Sequence, residues 1–381
     1  MSLQLPPLSL YIHVPWCVQK CPYCDFNSHA QRAPLPEADY IKTLLEDLSE
    51  ERHFAQGREI QSIFIGGGTP SLFSADSYKH LLQEIHTIIP IHATAEITLE
   101  ANPGTFEKNK FIGYREAGIN RLSIGIQSFN NLQLKALGRI HCADEAITAA
   151  SLAREHFPKL NLDLMHGLPN QTEEDALADL QQAIDLQPDH LSWYQLTIEP
   201  NTEFYAKPPQ LPVDETLWSI QEKGLQTIQH AGFEQYEISA YTKENTPSQH
   251  NLNYWTFGDY IGIGAGAHGK VTLLNEQQII RRWKQKQPKA YMQHSSRLMG
   301  HERIAQEELA FEFMLNALRL HKGVPKQLFS ERTGIPLTTL SPLLDSAIKK
   351  GLLSASDNRL VPTQQGRLFL NDLLEIFLEA P

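Results

Sequence analysis

Three of the chain's four cysteines, Cys17, Cys21 and Cys24, fall within eight residues, spaced four and three apart. A disulfide scaffold would spread its cysteines through a small secreted chain. Three clustered thiols read instead as ligands for a metal or a cluster. A structural zinc site takes four protein ligands, and the fourth would have to be His13 or His29. A cubane iron–sulfur cluster usually takes four cysteines. With three, one iron keeps an open coordination position, as a chemically active metal requires. Cys142 stands alone at the start of a helical stretch and reads as a small packed thiol.

A second group of candidates lies where apolar runs end. Ile63-Phe-Ile runs into Gly66-Gly67-Gly68-Thr69-Pro70. Consecutive glycines let a ligand approach backbone N–H groups closely, although the same residues also make a plain tight turn. Glu100 ends Ile97-Thr-Leu-Glu, Gln127 ends Leu122-Ser-Ile-Gly-Ile-Gln, Arg139 lies in Leu-Gly-Arg-Ile-His, and Asp163 lies in Asn161-Leu-Asp-Leu-Met-His. Taken singly, each could be a cap or a surface residue.

The elements that must position these residues alternate. Apolar runs at 8–14, 60–65, 96–100, 121–126, 160–165 and 191–196 read as strands, with a seventh at 235–239. Amphipathic stretches at 36–56, 74–88, 105–117, 143–156, 172–186 and 213–231 read as helices. Such alternation implies a parallel sheet. Chemistry at the strand ends suggests an incomplete (β/α)6 barrel, and a doubly wound sheet is the alternative. The expected organisation is a barrel over 1–240, a connecting segment over 241–304 and a helical, winged-helix-like domain over 305–381. That last domain carries 8 Lys/Arg against 9 Asp/Glu, which favours a lid or interaction role over DNA reading.

The chain has 381 residues and a net charge of −11. Its acidic balance disfavours nucleic acid as a partner. No run of about 20 apolar residues is present, so no transmembrane helix is expected; transient membrane contact stays open. The first ten residues carry no positive charge, so no signal peptide is expected and the location is read as cytoplasmic.

The C-x3-C-x2-C loop after a first strand resembles the radical S-adenosylmethionine (SAM) superfamily. The resemblance implies a [4Fe–4S] cluster on Cys17, Cys21 and Cys24, with SAM on the open iron and an external electron donor. SAM would then be cleaved to a 5′-deoxyadenosyl radical. The ordered motifs further resemble the oxygen-independent coproporphyrinogen III oxidase-like family. Tyr11 matches that family's aromatic near the sulfonium. Gly67, Gly68, Thr69, Glu100, Gln127, Arg139 and Asp163 match its SAM contacts. Chemically, ribose hydroxyls want a carboxylate acceptor and a carboxylate wants an Arg fork.

Two departures separate the chain from the oxidases. Their pattern ends C-x2-C-x-C, where this chain has Phe26, and they carry an N-terminal extension not expected here. Gln249-His250-Asn251-Leu-Asn-Tyr254-Trp255 instead resembles a motif of the HemW branch, whose members are regarded as haem chaperones. The resemblance implies haem bound near His250, Asn251, Tyr254 and Trp255, and delivery to haem-accepting proteins. Imidazole is a common haem ligand, and Tyr and Trp offer flat faces. The same segment reads equally as core. His268, in the glycine-rich 262–269 stretch, is the second axial candidate. Decarboxylation of coproporphyrinogen is the alternative function and is expected to be absent. A radical-SAM RNA modifier is disfavoured by the acidic balance.

Overall fold

The computed structural model describes residues 3–31, 33–105, 108–244, 246–293 and 296–378. The chain opens with strand β1 (Leu8–Val14) and helix α1 (Glu37–Glu51). It continues through β2 (Ile60–Gly67), α2 (Ala75–Ile88), β3 (Ile91–Ala101), α3 (Lys108–Glu116) and β4 (Arg121–Gln127). Then follow α4 (Ala143–His156), β5 (Lys159–His166), α5 (Glu173–Asp185) and β6 (His190–Gln195). Residues 106–107, at the expected start of the third helix, lie outside the described residues. The α5 start shows why such helices begin where they do: Thr172 and Asp175 exchange bonds in a capping box.

Strands β1 to β6 pair in parallel and in sequence order. A doubly wound sheet would reverse its order at a switch point and carry helices on both faces. Here the order is unbroken and the two faces differ chemically. Registers align Ile12, Ile65, Leu99, Leu122 and Leu160 on the outer face, within the main apolar core that the helices cover. The inner face carries Ser9, Ser62, Thr98, Ser123, Asn161 and His190, all buried although polar. The sheet curls around this face, so Glu100 on β3 raises the pKa of Tyr11 on β1 and of Tyr194 on β6. The result is the partial barrel of an α/β fold.

The edges depart from the sequence reading. Helix α6 (Asp214–His230) leads to β7 (Glu234–Glu237) and β8 (Ala240–Thr242). They form an antiparallel hairpin, with β8 antiparallel to β6; the expected seventh strand is thus an edge hairpin. After α7 (Gln249–Trp255), β9 (Asp259–Ile263) pairs in parallel with β1 on its free side. β10 (His268–Leu273), β11 (Gln278–Lys284) and β12 (Leu298–Arg303) extend that edge antiparallel. Residues 259–303 therefore widen the sheet to twelve strands among the described residues. Lys284 on β11 is 2% exposed and reaches Asp47 at 2.6 Å and Glu51 at 2.7 Å on α1. Buried charge is tolerable only when paired in this way.

The C-terminal domain comprises α8 (Gln306–Ala317), α9 (Lys326–Thr333), α10 (Ser341–Lys349), α11 (Gln364–Leu368) and α12 (Leu370–Glu375). Its hairpin is a small ladder of Val324–Pro325 with Arg359–Leu360. Its last helical stretch is interrupted at Phe369, whose ψ of 51° is not helical. Phe313, Phe329 and Phe377 form a core that also includes Phe257, Ile279 and Ile304, so this domain is packed onto the β9–β12 side. Among the described residues no helix is long and apolar enough to cross a membrane.

Candidate cofactor site

The cysteine loop hangs from the C-terminal end of β1. Trp16–Cys17 pairs with His29–Ala30, which closes the loop at its base. All three thiols are free; Cys17 is buried and Cys21 and Cys24 are half-buried. Burial pushes the Cys17 thiol up, and hydrogen bonds from Thr69 and Ser28 partly oppose it. Cys24 Sγ lies 3.6 Å from Ser28 Oγ, and Arg139 reaches Cys21 Sγ at 3.8 Å. Among the described residues, no three His, Cys, Asp or Glu side chains form a set able to hold a single metal ion. His13, a possible fourth zinc ligand, is engaged on both ring nitrogens, by Tyr11 Oη at 2.9 Å and by Asn27 O at 2.9 Å. Three free thiols on one loop are the donor type that an iron–sulfur cluster takes, so the residues present fit a cubane.

The strand-end residues converge beside this loop. Gly68 donates to Val14 O, and Thr69 donates to Trp16 O, each at 2.7 Å, tying the glycine turn to the cysteine loop. A Cβ on Gly68 would lie 2.5 Å from Trp16 O, and Gly67 adopts φ +112°. Both positions therefore need glycine. Glu100 accepts from Gly67 N–H at 3.1 Å. Burial, and then the charge of Asp163, raise its pKa to about 7. Asp163 accepts from Ser123 at 2.9 Å and Asn161 at 2.8 Å. Gln127, at φ +69°, accepts from Tyr194 Oη at 3.0 Å. Arg139 donates to Gly125 O at 2.6 Å, while its buried Nε has no partner. A buried donor left unpaired is costly, so this guanidinium fits a ligand carboxylate.

The α7 motif lies differently. His250 is 2% exposed. Its Nδ1 meets Ser62 Oγ at 3.2 Å and its Nε2 meets Tyr254 Oη at 3.2 Å. Its ring stacks on Phe64 at 5.1 Å and lies 6.4 Å from that of Tyr11. Burial lowers its pKa to about 3. His250 is thus a buried residue of the barrel interior whose two ring nitrogens both have hydroxyl partners. Trp255 points elsewhere: its ring lies under the Arg319 guanidinium at 4.2 Å, against the C-terminal domain core. Asn251 is half-buried and its N–H caps onto Ser248. The four motif residues thus share no single planar face. His268 is exposed and stacks on Trp283 at 6.4 Å. The sequence reading missed the polar barrel interior, whose signal was a small polar residue inside each of several apolar strands: Ser9, Ser62, Ser123, Asn161 and Ser192.

A radical SAM superfamily model matches residues 11–183, and a HemN C-terminal domain model matches 304–369. The fold and the three-thiol loop accordingly define a radical-SAM-type protein. A solved coproporphyrinogen III oxidase (HemN) from Escherichia coli shares the fold at a TM-score of 0.80 and 22% identity, over 98% of this chain and 90% of that one. Among curated relatives, the heme chaperone HemW of Escherichia coli is 53% identical over 99% of both chains. That of Bacillus subtilis is 34% identical over 97% of this chain and 99% of its own. The chain belongs to the HemW family of the radical SAM superfamily.

Proposed function

We propose that the chain is a haem carrier on a radical-SAM scaffold, binding haem and delivering it to haem-accepting proteins. The observation that carries this is the end-to-end similarity, at 53% identity, to a protein named as a heme chaperone. Phe26, 60% exposed where the oxidase pattern has cysteine, supports the carrier over the oxidase. Cys17, Cys21 and Cys24 would hold a [4Fe–4S] cluster, and SAM would sit in the strand-end pocket. When bound and supplied by an electron donor, the pair offers one-electron cleavage of a carbon–sulfur bond.

The chain's own residues bind and orient. The partly unpaired Arg139 fork would take a ligand carboxylate. Gly67, Gly68 and Thr69 give close backbone approach. Asp163 and Glu100 would accept from ligand hydroxyls, and Glu100 can hold or release a proton near neutral pH. Tyr11, Phe64 and His250 close the chamber on its inner side and exclude water. The cytoplasm, where thiols stay reduced, is the location this reading assigns. Coordination of haem iron by His250 would require giving up Ser62 or Tyr254.

The test is anaerobic reconstitution followed by haem titration and a coproporphyrinogen assay on the same sample. Haem binding without decarboxylation is expected. Steady conversion to protoporphyrinogen would replace the carrier by the enzyme.

A further inference from the structure

Each of the three clustered sulfurs has a donor beside it. Arg139 reaches Cys21 Sγ at 3.8 Å, and Thr69 hydrogen-bonds Cys17. Both belong to the strand-end pocket, but Ser28 does not. It lies at the C-terminal stem of the cysteine loop, next to the pairing of His29–Ala30 with Trp16–Cys17, and is 6% exposed. Its Oγ lies 3.6 Å from Cys24 Sγ and hydrogen-bonds Cys17 as well, so one hydroxyl is shared between two of the three thiols. Among the described residues that hydroxyl has no oxygen or nitrogen partner. The stem is held from far along the chain. The side chain of the adjacent Asn27 donates to Ala265 O at 2.9 Å and to Lys286 O at 2.8 Å. Ala265 lies in the turn between β9 and β10, and Lys286 lies just beyond β11. The Asn27 carbonyl accepts from His13 Nε2 at 2.9 Å. Tyr40 Oη donates to His13 O and accepts from Ala265 N–H, each at 2.8 Å, which ties the same turn to β1. The approach is tight: a Cβ on Gly266 would lie 2.3 Å from Asn27 Nδ2. An amide that donates to two backbone carbonyls fixes the peptide that carries Ser28.

We infer that Ser28 tunes the reduction potential of the cluster by donating to the Cys17 and Cys24 sulfurs, and that Asn27 and the 264–267 turn are the positioning elements that hold it there. The inference rests on the cluster reading above. A sulfur bound to iron has lost its proton and can only accept, so the Ser28 hydroxyl must donate. One electron from the external donor takes the cluster from its oxidised to its reduced state, and the added negative charge is shared by the sulfurs. A donor aimed at them stabilises the reduced cluster more than the oxidised one and raises the potential. Burial strengthens the effect, because little water competes for the sulfurs. Thr69 and Arg139 act in the same sense, but changing either also changes the pocket, whereas Ser28 can be changed alone. The carbonyl that holds Asn27 lies 238 residues downstream of it. The potential therefore depends on docking of the β9–β12 extension, which links the second half of the chain to the electron-transfer step.

The test is a dithionite redox titration followed by EPR on the anaerobically reconstituted full chain, without SAM, for wild type, Ser28→Ala, Ser28→Thr and Asn27→Ala. Iron and sulfide are counted in each. Ser28→Ala should keep wild-type counts and become harder to reduce by about tenfold in the one-electron equilibrium, a downward shift of about 59 mV. Ser28→Thr keeps a hydroxyl and should keep the wild-type potential. Asn27→Ala retains the hydroxyl but releases its stem, so it should shift the potential downward by less and broaden the EPR signal of the reduced cluster. A merely structural serine would change the iron and sulfide counts and leave the potential of the loaded protein alone. Ser28→Ala with full counts and a wild-type potential would overturn the assignment, as would loss of the cluster in that variant. A threonine variant shifted as far as alanine would show that size, not the hydroxyl, is at work, and would overturn it too. An unchanged potential in Asn27→Ala would strike the 264–267 turn from the inference. A wild-type chain that takes up no iron–sulfur cluster would instead overturn the cluster reading itself.

Discussion

The two halves of the barrel interior are both polar, yet they are built to opposite ends. In the inner half most polar groups satisfy one another, Thr98 Oγ1 being left unpaired. Ser9 and Ser62 meet at 2.7 Å, and Ser62 meets His250. His190 bridges Asn161 at 2.6 Å and Tyr236 at 2.9 Å, while Asn161 donates to Ser123 at 2.7 Å. At the strand ends, by contrast, valences are left over: the Arg139 Nε, the three thiols and the lightly bonded Glu100. A saturated network stabilises and specifies the core, whereas an unsaturated one is a place for a ligand. Polarity alone does not mark a site; unmet bonds gathered at one mouth, beside free thiols, do.

Substitutions can break that contrast, beginning where the effect is largest. Serine at Cys17, Cys21 or Cys24 should abolish the cluster, while Cys142→Ser, whose residue is exposed at the start of α4, should leave iron and sulfide counts unchanged. Loss of the cluster in Cys142→Ser would refute the three-ligand loop. In the inner half, Asn161→Ala should cost about 2–4 kcal/mol in chemical denaturation, because His190 Nδ1, Ser192, Ser123 and Asp163 each lose a bond together. A change below about 0.5 kcal/mol would mean the network carries no stability.

Gly68→Val meets the Trp16 carbonyl and should weaken SAM binding about tenfold or more, measured calorimetrically on cluster-loaded protein. Unchanged binding would move the pocket elsewhere. A last test concerns pH. Glu100 has its folded pKa raised from 4.5 to about 7 by burial first and Asp163 second. The neutral form is favoured in the fold, so stability is highest below about pH 4.5 and declines as pH rises through 7, by up to about 3 kcal/mol. Glu100→Gln should flatten that decline in urea midpoints of the cluster-free protein. An unchanged slope would show that Glu100 is not its source.

The sequence made the parallel half legible because each of its strands is short, apolar and punctuated. β1 was expected at 8–14 and is found there, and the strand-end motifs meet at one mouth. The strands of 259–303 lie inside the expected connecting segment of 241–304, where Lys270, Arg281, Arg282 and Lys284 interrupt the apolar pattern. Only the fold shows that Lys284 is paired across to α1 and Lys270 to Asp259. The H-N-x-x-Y-W segment looked like one surface because its residues are adjacent in sequence. On a short helix they point to different neighbours: His250 and Tyr254 to the barrel interior, Trp255 to Arg319.

The pairing of β9 with β1 also sets an order of assembly. Leu8 and Asp259 are partners about 250 residues apart. During synthesis β1 can find β2 early, but its other edge stays bare until most of the chain has been made. An open strand edge is a template for wrong partners, and contacts this distant form slowly because the loop must close first. The β9–β12 extension is therefore the step at which folding of the whole chain is committed, and a product stopped near residue 240 would expose β1 to aggregation.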